Sequence, residues 1–399
     1  MNFEWVIIGG GIHGVHIAAR LIGEVGVRAE QLRILDPNTE LLQRWQSCTT
    51  TTGMRFLRSP VVHHLDLDPW ALQRFAGKRT RRTRIKGLFA PPYDRPALSL
   101  FNKHCNHVIE SYGLDALHIQ DRALSCSLQH DGVTIQTGEG LELKAHNVVL
   151  AIGASDQPNW PAWAPRDNKR VAHIFSTEFK SWPSSTETVA VVGGGISAAQ
   201  VALRLVDEGH NVHLISRHAL REHQFDSDPG WLGPKNMAGF TRERNRDERR
   251  KLINAARHKG SMPPDVRRAA RHAIQTGQIG WHECDVVALD GSDEGFELRL
   301  SDDNTVQAER VLLATGFTAK RPGGEMLDAL IESASLPCAQ CGFPIVDASL
   351  RWHPHIYVTG PLAELELGPV ARNIAGAQKA GGRLVEAVKS ATQRMSGAP

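Results

Sequence analysis

The chain has 399 residues, room for two or three domains and a large core. A formal charge of +3 with 41% hydrophobic and 22% charged residues is ordinary for a globular protein and gives no reason to expect nucleic acid. No apolar run reaches the roughly 20 residues that cross a bilayer, and no signal peptide precedes the first strand, so a soluble cytoplasmic protein with no membrane partner is expected.

The chain opens on Val6-Ile7-Ile8-Gly9-Gly10-Gly11-Ile12-His13-Gly14. Residues 4–8 read as a buried strand. Gly9 permits a tight turn, Gly11 lets the backbone approach a pyrophosphate, and Gly14 lets the next helix pack on the strand. The N–H groups of Ile12 to Val15 then face the phosphates. A helix over 15–22 and a strand over 32–35 follow. Asp36 comes 22 positions after Gly14, near the roughly 20 expected of a ribose-binding acid.

Residues 41–70 are rich in Thr, Arg, His and Pro with little helical period, and read as a loop that wraps a ligand. They hold Arg55, Arg58, His63 and His64; the histidines are candidates to move protons near neutral pH. The basic run Lys78 to Arg84 reads as a solvated loop. A helix is expected over 96–112, strands over 117–124, 133–137 and 141–143, and a buried strand over 147–152 ending at Gly153. Residues 157–165 contain three prolines and read as a linker.

The fingerprint then returns as Val189-Ala190-Val191-Val192-Gly193-Gly194-Gly195-Ile196-Ser197-Ala198. A helix over 201–206 and a strand over 212–215 complete the unit. No acid follows; Arg217 and His218 stand there, with Arg221 nearby. A guanidinium at Arg217 can pair with a 2′-phosphate, so NADPH is favoured over NADH. Residues 226–277 read as a polar, helical insertion carrying Asn236. Within it, 242–251 reads as a salt-bridged helix face. Strands are expected over 279–289 and 296–300. Residues 310–317 repeat the pattern of 148–153, a strand over 355–359 ends at Gly360-Pro361, and a glycine-broken helix spans 370–388.

The six cysteines do not form a disulfide framework. Cys338 and Cys341 are the one close pair and read as loop thiols, a redox dithiol being the alternative; no metal site is read. The expected fold is α/β, with two Rossmann-like dinucleotide-binding domains, the second, for NADPH, nested within the first. Its segments are 1–165, 166–310 and 311–399.

These residues resemble the class B flavin-dependent monooxygenases, in particular the lysine/ornithine N-hydroxylases of siderophore synthesis. The resemblance rests on the two fingerprints with Asp36, on Leu313-Ala314-Thr315-Gly316-Phe317, and on His173-Ile174-Phe175-Ser176-Thr177-Glu178-Phe179 before the second fingerprint. It implies FAD and NADPH as cofactors. Cofactor contacts are then expected at Gly9, Gly11, Ile12, His13, Gly14, Asp36, Trp45 and Met54. The later ones are Gly193, Gly195, Ile196, Ser197, Ala198, Arg217, Thr315, Gly316 and Gly360.

It also implies O2-dependent hydroxylation of a small-molecule amine through a flavin C4a-hydroperoxide. The departures concern the substrate. Trp45 is followed by Gln46 where the family has Trp-His, and Met54 by Arg55 where it has Met-Gln. Leu57-Arg58-Ser59-Pro60 replaces the segment with the family's substrate-carboxylate lysine. Arg55, Arg58, His63, His64 and Asn236 are the pocket candidates. An FAD-dependent reductase using Cys338 and Cys341, and a non-catalytic nucleotide-binding redox sensor, remain as alternatives. The oligomeric state is not read.

Overall fold

Strands such as Asn2–Ile8 and Thr188–Val192 carry apolar residues at consecutive positions, so both of their faces must be covered. A computed structural model describes residues 1–77, 87–179, 182–292 and 295–396, and it covers them as that pattern demands. In the first unit Trp5 and Ile7 enter one core with Ile34 and Val149, while Val6 and Ile8 enter another with Leu35 and Leu150. In the second, Val189 and Val191 face one core and Ala190 and Val192 the other. This is the period of two of a strand buried on both sides.

The first sheet runs, in spatial order, Arg351–His353, Ile356–Val358, Glu142–Leu150, Asn2–Ile8, Leu32–Asp36, His118–Gln120. From Ile356–Val358 onward these strands are parallel, and an antiparallel pair, Ala123–Gln129 with Gly132–Thr137, extends from Glu142–Leu150. The second sheet is wholly parallel: Ile279–His282, Asn211–Ile215, Thr188–Val192, Arg310–Leu313, Val171–His173. All its strands lie between residues 171 and 313, so the second Rossmann-like unit is nested in the chain of the first.

Several local expectations need correction. Residues 41–70 are not all loop: Gln43–Thr51 is a helix, half-buried along its length, which its threonines had masked. The insertion is three helices, Pro234–Arg242, Arg246–Ala256 and Pro264–Gln275, two of them started by proline. The run 279–289 is two strands, separated near Cys284. The last helix, Ile374–Ser396, is continuous through its glycines. They permit close packing: a Cβ on Gly376 would stand 2.3 Å from the Val370 carbonyl oxygen, and one on Gly381 would stand 2.7 Å from Arg20 Cδ. The basic run at 78–84 lies outside the described residues.

Helix Ile12–Arg20, helix Leu98–Ser111 and the segment 60–70 bury a group of histidines. His16 Nδ1 meets the Leu65 carbonyl oxygen at 2.8 Å, and the His64 and His104 rings meet edge-on at 5.1 Å. Burial pushes His16 and His104 down to about 4 and His13 to about 3. Between those values and the ordinary 6.5, the unfolded chain binds protons that the folded chain refuses. Stability is therefore fully present above about pH 6.5 and is lost as pH falls towards 4, by about 1.4 kcal/mol per pH unit for each such histidine. Urea midpoints measured between pH 7.5 and 4.5 should show this fall. His104→Gln should make it shallower by about one proton.

Candidate active site: two glycine cradles

The first cradle is built by close backbone approach. Gly9 has φ +114, and an added Cβ would stand 2.5 Å from the Ala151 carbonyl oxygen. A Cβ on Gly14 would lie 1.8 Å from the Gly9 carbonyl oxygen, so only glycine lets the helix sit this close to the turn. Gly11 differs: nothing lies within 4 Å of its missing Cβ. It is the N-cap of Ile12–Arg20 and supplies no side chain, and the first intrahelical bond is Val15 N to the Gly11 carbonyl oxygen at 3.0 Å. The N–H groups of Ile12, His13 and Gly14 are thus left for a ligand at the positive end of the helix.

Asp36 ends the second strand and accepts from Gly10 N at 2.7 Å, with Asn38 N and Nδ2 on its other oxygen at 2.9 and 2.7 Å. His13 is buried; its Nδ1 meets Thr359 Oγ1 at 2.7 Å and its ring lies 3.8 Å from a Cβ on Gly360. The glycine loop and the return segment, far apart in sequence, are brought together there. Trp45 donates to Asn102 Oδ1 at 3.3 Å and packs on Phe101, and Met54 packs on the same core.

The second cradle repeats this design. Gly193 has φ +152, and its Cβ would stand 2.4 Å from the Ala314 carbonyl oxygen. Gly195 caps Ile196–Asp207 without a side chain, Ser197 follows in the first turn, and buried Ala198 takes the third glycine's place. No side chain lies within 4 Å of a Cβ on Gly195; its neighbour is Gly260 Cα at 3.6 Å. Arg217 is exposed beyond Asn211–Ile215. Thr315 donates to the Asn159 carbonyl, and the Gly316 carbonyl accepts from Asn159 N at 2.8 Å, so the late strand end is pinned to the linker after Gly153.

The two units are joined by arginines. Arg58 donates to the carbonyls of His223, Gln224 and Phe225 at 2.7, 2.8 and 2.7 Å and to Ser261 Oγ at 2.9 Å. Arg44 reaches the carbonyls of Ser155 and Phe175 at 2.5 and 2.6 Å, and Arg204 those of Thr50 and Thr51, both at 3.3 Å. Buried Arg95 pairs with Asp265 at 2.8 Å.

This geometry revises the pocket candidates. Arg58 is a clamp between units rather than a free carboxylate binder. His64 is fully buried against the Pro69 carbonyl at 3.1 Å, so it is no proton shuttle for a ligand. His63 is half-buried, and burial pushes it down to about 4, leaving it neutral at neutral pH. Asn236 lies in the first turn of its helix against Gly230, while Arg55 keeps an exposed side chain.

Sequence reasoning missed one feature. Glu364 is fully buried and takes Arg250 at 2.7 Å together with Arg257 and Arg372. Glu366 takes Arg246, Arg249 and Arg383 at 3.5, 2.8 and 3.2 Å. Burial raises the Glu364 carboxyl, but Arg257 and Arg372 outweigh it and hold the group at about 2. Arg246, Arg249 and Arg250 thus fasten the insertion to the return segment, while Lys251 pairs within the helix with Glu248 at 2.7 Å. The charge pattern marked the cluster, but its partners lie more than 100 residues away. Cys341 packs on the small core of Met237, Phe240, Ile253 and Phe343 beside this hub, while Cys338 packs on the core of Leu330, Leu336 and Val346.

Two substitutions test these roles. Gly11→Ala meets no protein atom and should keep the melting temperature of the flavin-free protein, yet weaken FAD binding on the order of 10-fold through one lost phosphate contact. Glu364→Gln leaves buried guanidiniums without their carboxylate and should lower stability by about 3–5 kcal/mol in urea unfolding.

Comparison with known proteins agrees with this geometry. An FAD-NAD(P)-binding family model matches residues 6–155, and a pyridine nucleotide-disulphide oxidoreductase model matches 94–259. A comparison with curated sequences finds none that matches. Among solved structures, the ornithine N-hydroxylase of Kutzneria sp. 744 superposes with a TM-score of 0.75 at 16% identity, over 98% of this chain and 100% of that one. The ornithine hydroxylase of Pseudomonas aeruginosa gives 0.75 at 15% identity, over 98% and 99%. The bacillithiol disulfide reductase of Bacillus cereus gives 0.65 at 16%, over 98% and 100%. With two glycine cradles on nested, largely parallel sheets, the chain has the two-Rossmann fold of those N-hydroxylases, a fold shared with that reductase.

Proposed function

We propose that this protein is an FAD- and NADPH-dependent monooxygenase that hydroxylates an amine nitrogen of a small molecule with O2, in siderophore or other secondary-metabolite synthesis in the cytoplasm. The observation that carries it is the pair of unlike cradles on one arginine-clamped frame. One closes with Asp36, and the other is followed by Arg217. FAD is assigned to segments 1–165 and 311–399, and NADPH to 166–310. No helix among the described residues is long and apolar enough to cross a membrane.

The residues present fit the two cofactors. Gly11 and the N–H groups after it offer an open, anion-seeking surface, and Gly195 offers the same beside the Gly260 main chain. Flavin, once bound and reduced by NADPH, supplies the oxygen activation. The chain's part is to bind, orient and exclude water. Arg44, Arg58, Arg95 and Arg204 hold the units at a set spacing. His13 and Thr359 hold the loop against the return segment. Of the pocket candidates, exposed Arg55 is assigned to a substrate carboxylate, and His63 and Asn236 to the pocket wall.

The shared fold with a disulfide reductase keeps one rival in view, electron transfer through Cys338 and Cys341. Purified protein loaded with FAD should consume NADPH and O2 and hydroxylate an amine, with coupling that rises when the right amine is added. Cys338→Ser/Cys341→Ser should retain full turnover. Peroxide release without hydroxylated product for every amine tried would overturn the monooxygenase reading, and loss of turnover in the double variant would favour the reductase.

A further inference from the structure

The middle glycine of each triplet makes room for a different side chain. A Cβ on Gly10 would stand 2.8 Å from Leu41 Cδ2, 3.0 Å from Asp36 Cβ and 3.3 Å from its Cγ, so the polar side chain there is Asp36. A Cβ on Gly194 would stand 2.6 Å from His218 Cε1 and 3.0 Å from its Nε2. Strand register does not foretell this. Ile8 pairs with Leu35 and Val192 with Ile215, so the register counterpart of Asp36 is Ser216. Ser216 is buried and committed elsewhere: its Oγ donates to the His218 carbonyl at 3.0 Å and accepts from Trp281 Nε1 at 3.1 Å. That turn brings the ring two residues further on over the glycine loop.

A second glycine holds the ring from the other side. Gly260 has φ +66, and its Cβ would stand 2.5 Å from His218 Nε2. The same Gly260 is the main-chain neighbour of Gly195, so the ring stands at the rim of the second cradle. Nδ1 is taken by the Ala219 carbonyl at 2.8 Å, which leaves Nε2 as the nitrogen for a ligand. Arg217, Arg221 and Lys259 are exposed around it, and Arg221 donates to the Lys259 carbonyl at 3.4 Å. The nearby carboxylate of Glu222 is paired with Arg267 at 3.3 Å.

We infer that His218 is the specificity-determining side chain of the second cradle, the spatial counterpart of Asp36, and that with Arg217 and Lys259 it selects an adenosine ribose carrying a 2′-phosphate. The inference rests on the reading that this cradle holds a nicotinamide nucleotide. The chemistry follows from the side chains. A carboxylate accepts from ribose hydroxyls and repels a phosphate, whereas imidazole brings no negative charge and, protonated, donates from both nitrogens. His218→Asp therefore rebuilds in the second cradle the carboxylate of the first.

The test is calorimetric titration of the FAD-loaded protein with NADP+ and with NAD+. His218→Asp should weaken NADP+ on the order of 10- to 100-fold while leaving NAD+ unchanged or tighter. Gly194→Ala, which displaces the ring without changing charge, should reduce the preference for NADP+ in the same direction. The flavin spectrum and melting temperature of each variant report that the rest of the fold is intact. Equal weakening of both nucleotides in His218→Asp, or no change in either, would overturn the inference. Wild-type protein that binds neither nucleotide would overturn the cradle reading itself, and this inference with it.

Discussion

Everything at the site depends on main chain meeting main chain without a side chain between. Gly14 stands over the Gly9 carbonyl and Gly193 against that of Ala314, at separations where any Cβ would collide. The first contact seats a helix N-terminus directly on a strand end, and the second sets the glycine turn against the end of the neighbouring strand, Arg310–Leu313. The parallel pairing of Asn2–Ile8 with Leu32–Asp36, and of Thr188–Val192 with Asn211–Ile215, then brings Asp36 and Ser216 to matching places beside the glycine loops. An anion-binding surface is a consequence of this geometry, because helix N-termini leave N–H groups unpaired.

A second constraint is electrostatic and fixes the units against each other. Arg44, Arg58 and Arg204 donate to backbone carbonyls of the opposite unit, contacts that charge makes stronger than neutral ones. Glu364 and Glu366 gather six arginines between the insertion and the return segment. Buried ion pairs of this kind contribute little net stability over an apolar core, so their value here is in geometry. They set the insertion against the return segment beside a small apolar cluster in which Met237, Phe240 and Ile253 meet Phe343 and Leu365.

The features that the sequence revealed are local ones. Strand, glycine turn, helix and second strand follow within about 30 residues, and each carries its own periodicity or backbone demand. Helix Gln43–Thr51 was hidden because threonines favour strands and loops, and only packing on Phe101 and its neighbours overrides that preference. The glycines of Ile374–Ser396 signalled a break, yet Gly381 and Gly382 serve contact with Arg20, and Gly381 with His16, residues more than 350 positions away. Arg58 drew attention as a charge in a ligand-wrapping loop, but its partners are carbonyls 165 to 167 residues on. His64 is buried for the same kind of reason: helix Leu98–Ser111 covers it.

The sequence alone determined the α/β class, the two nucleotide cradles and their different closing residues, because backbone freedom and strand patterning are written in consecutive positions. Tertiary structure decided which side chain faces each glycine loop, which arginines clamp the units together, and how the insertion meets the return segment. Those depend on chain segments meeting across hundreds of residues, and burial there changes what a charge or an imidazole can do.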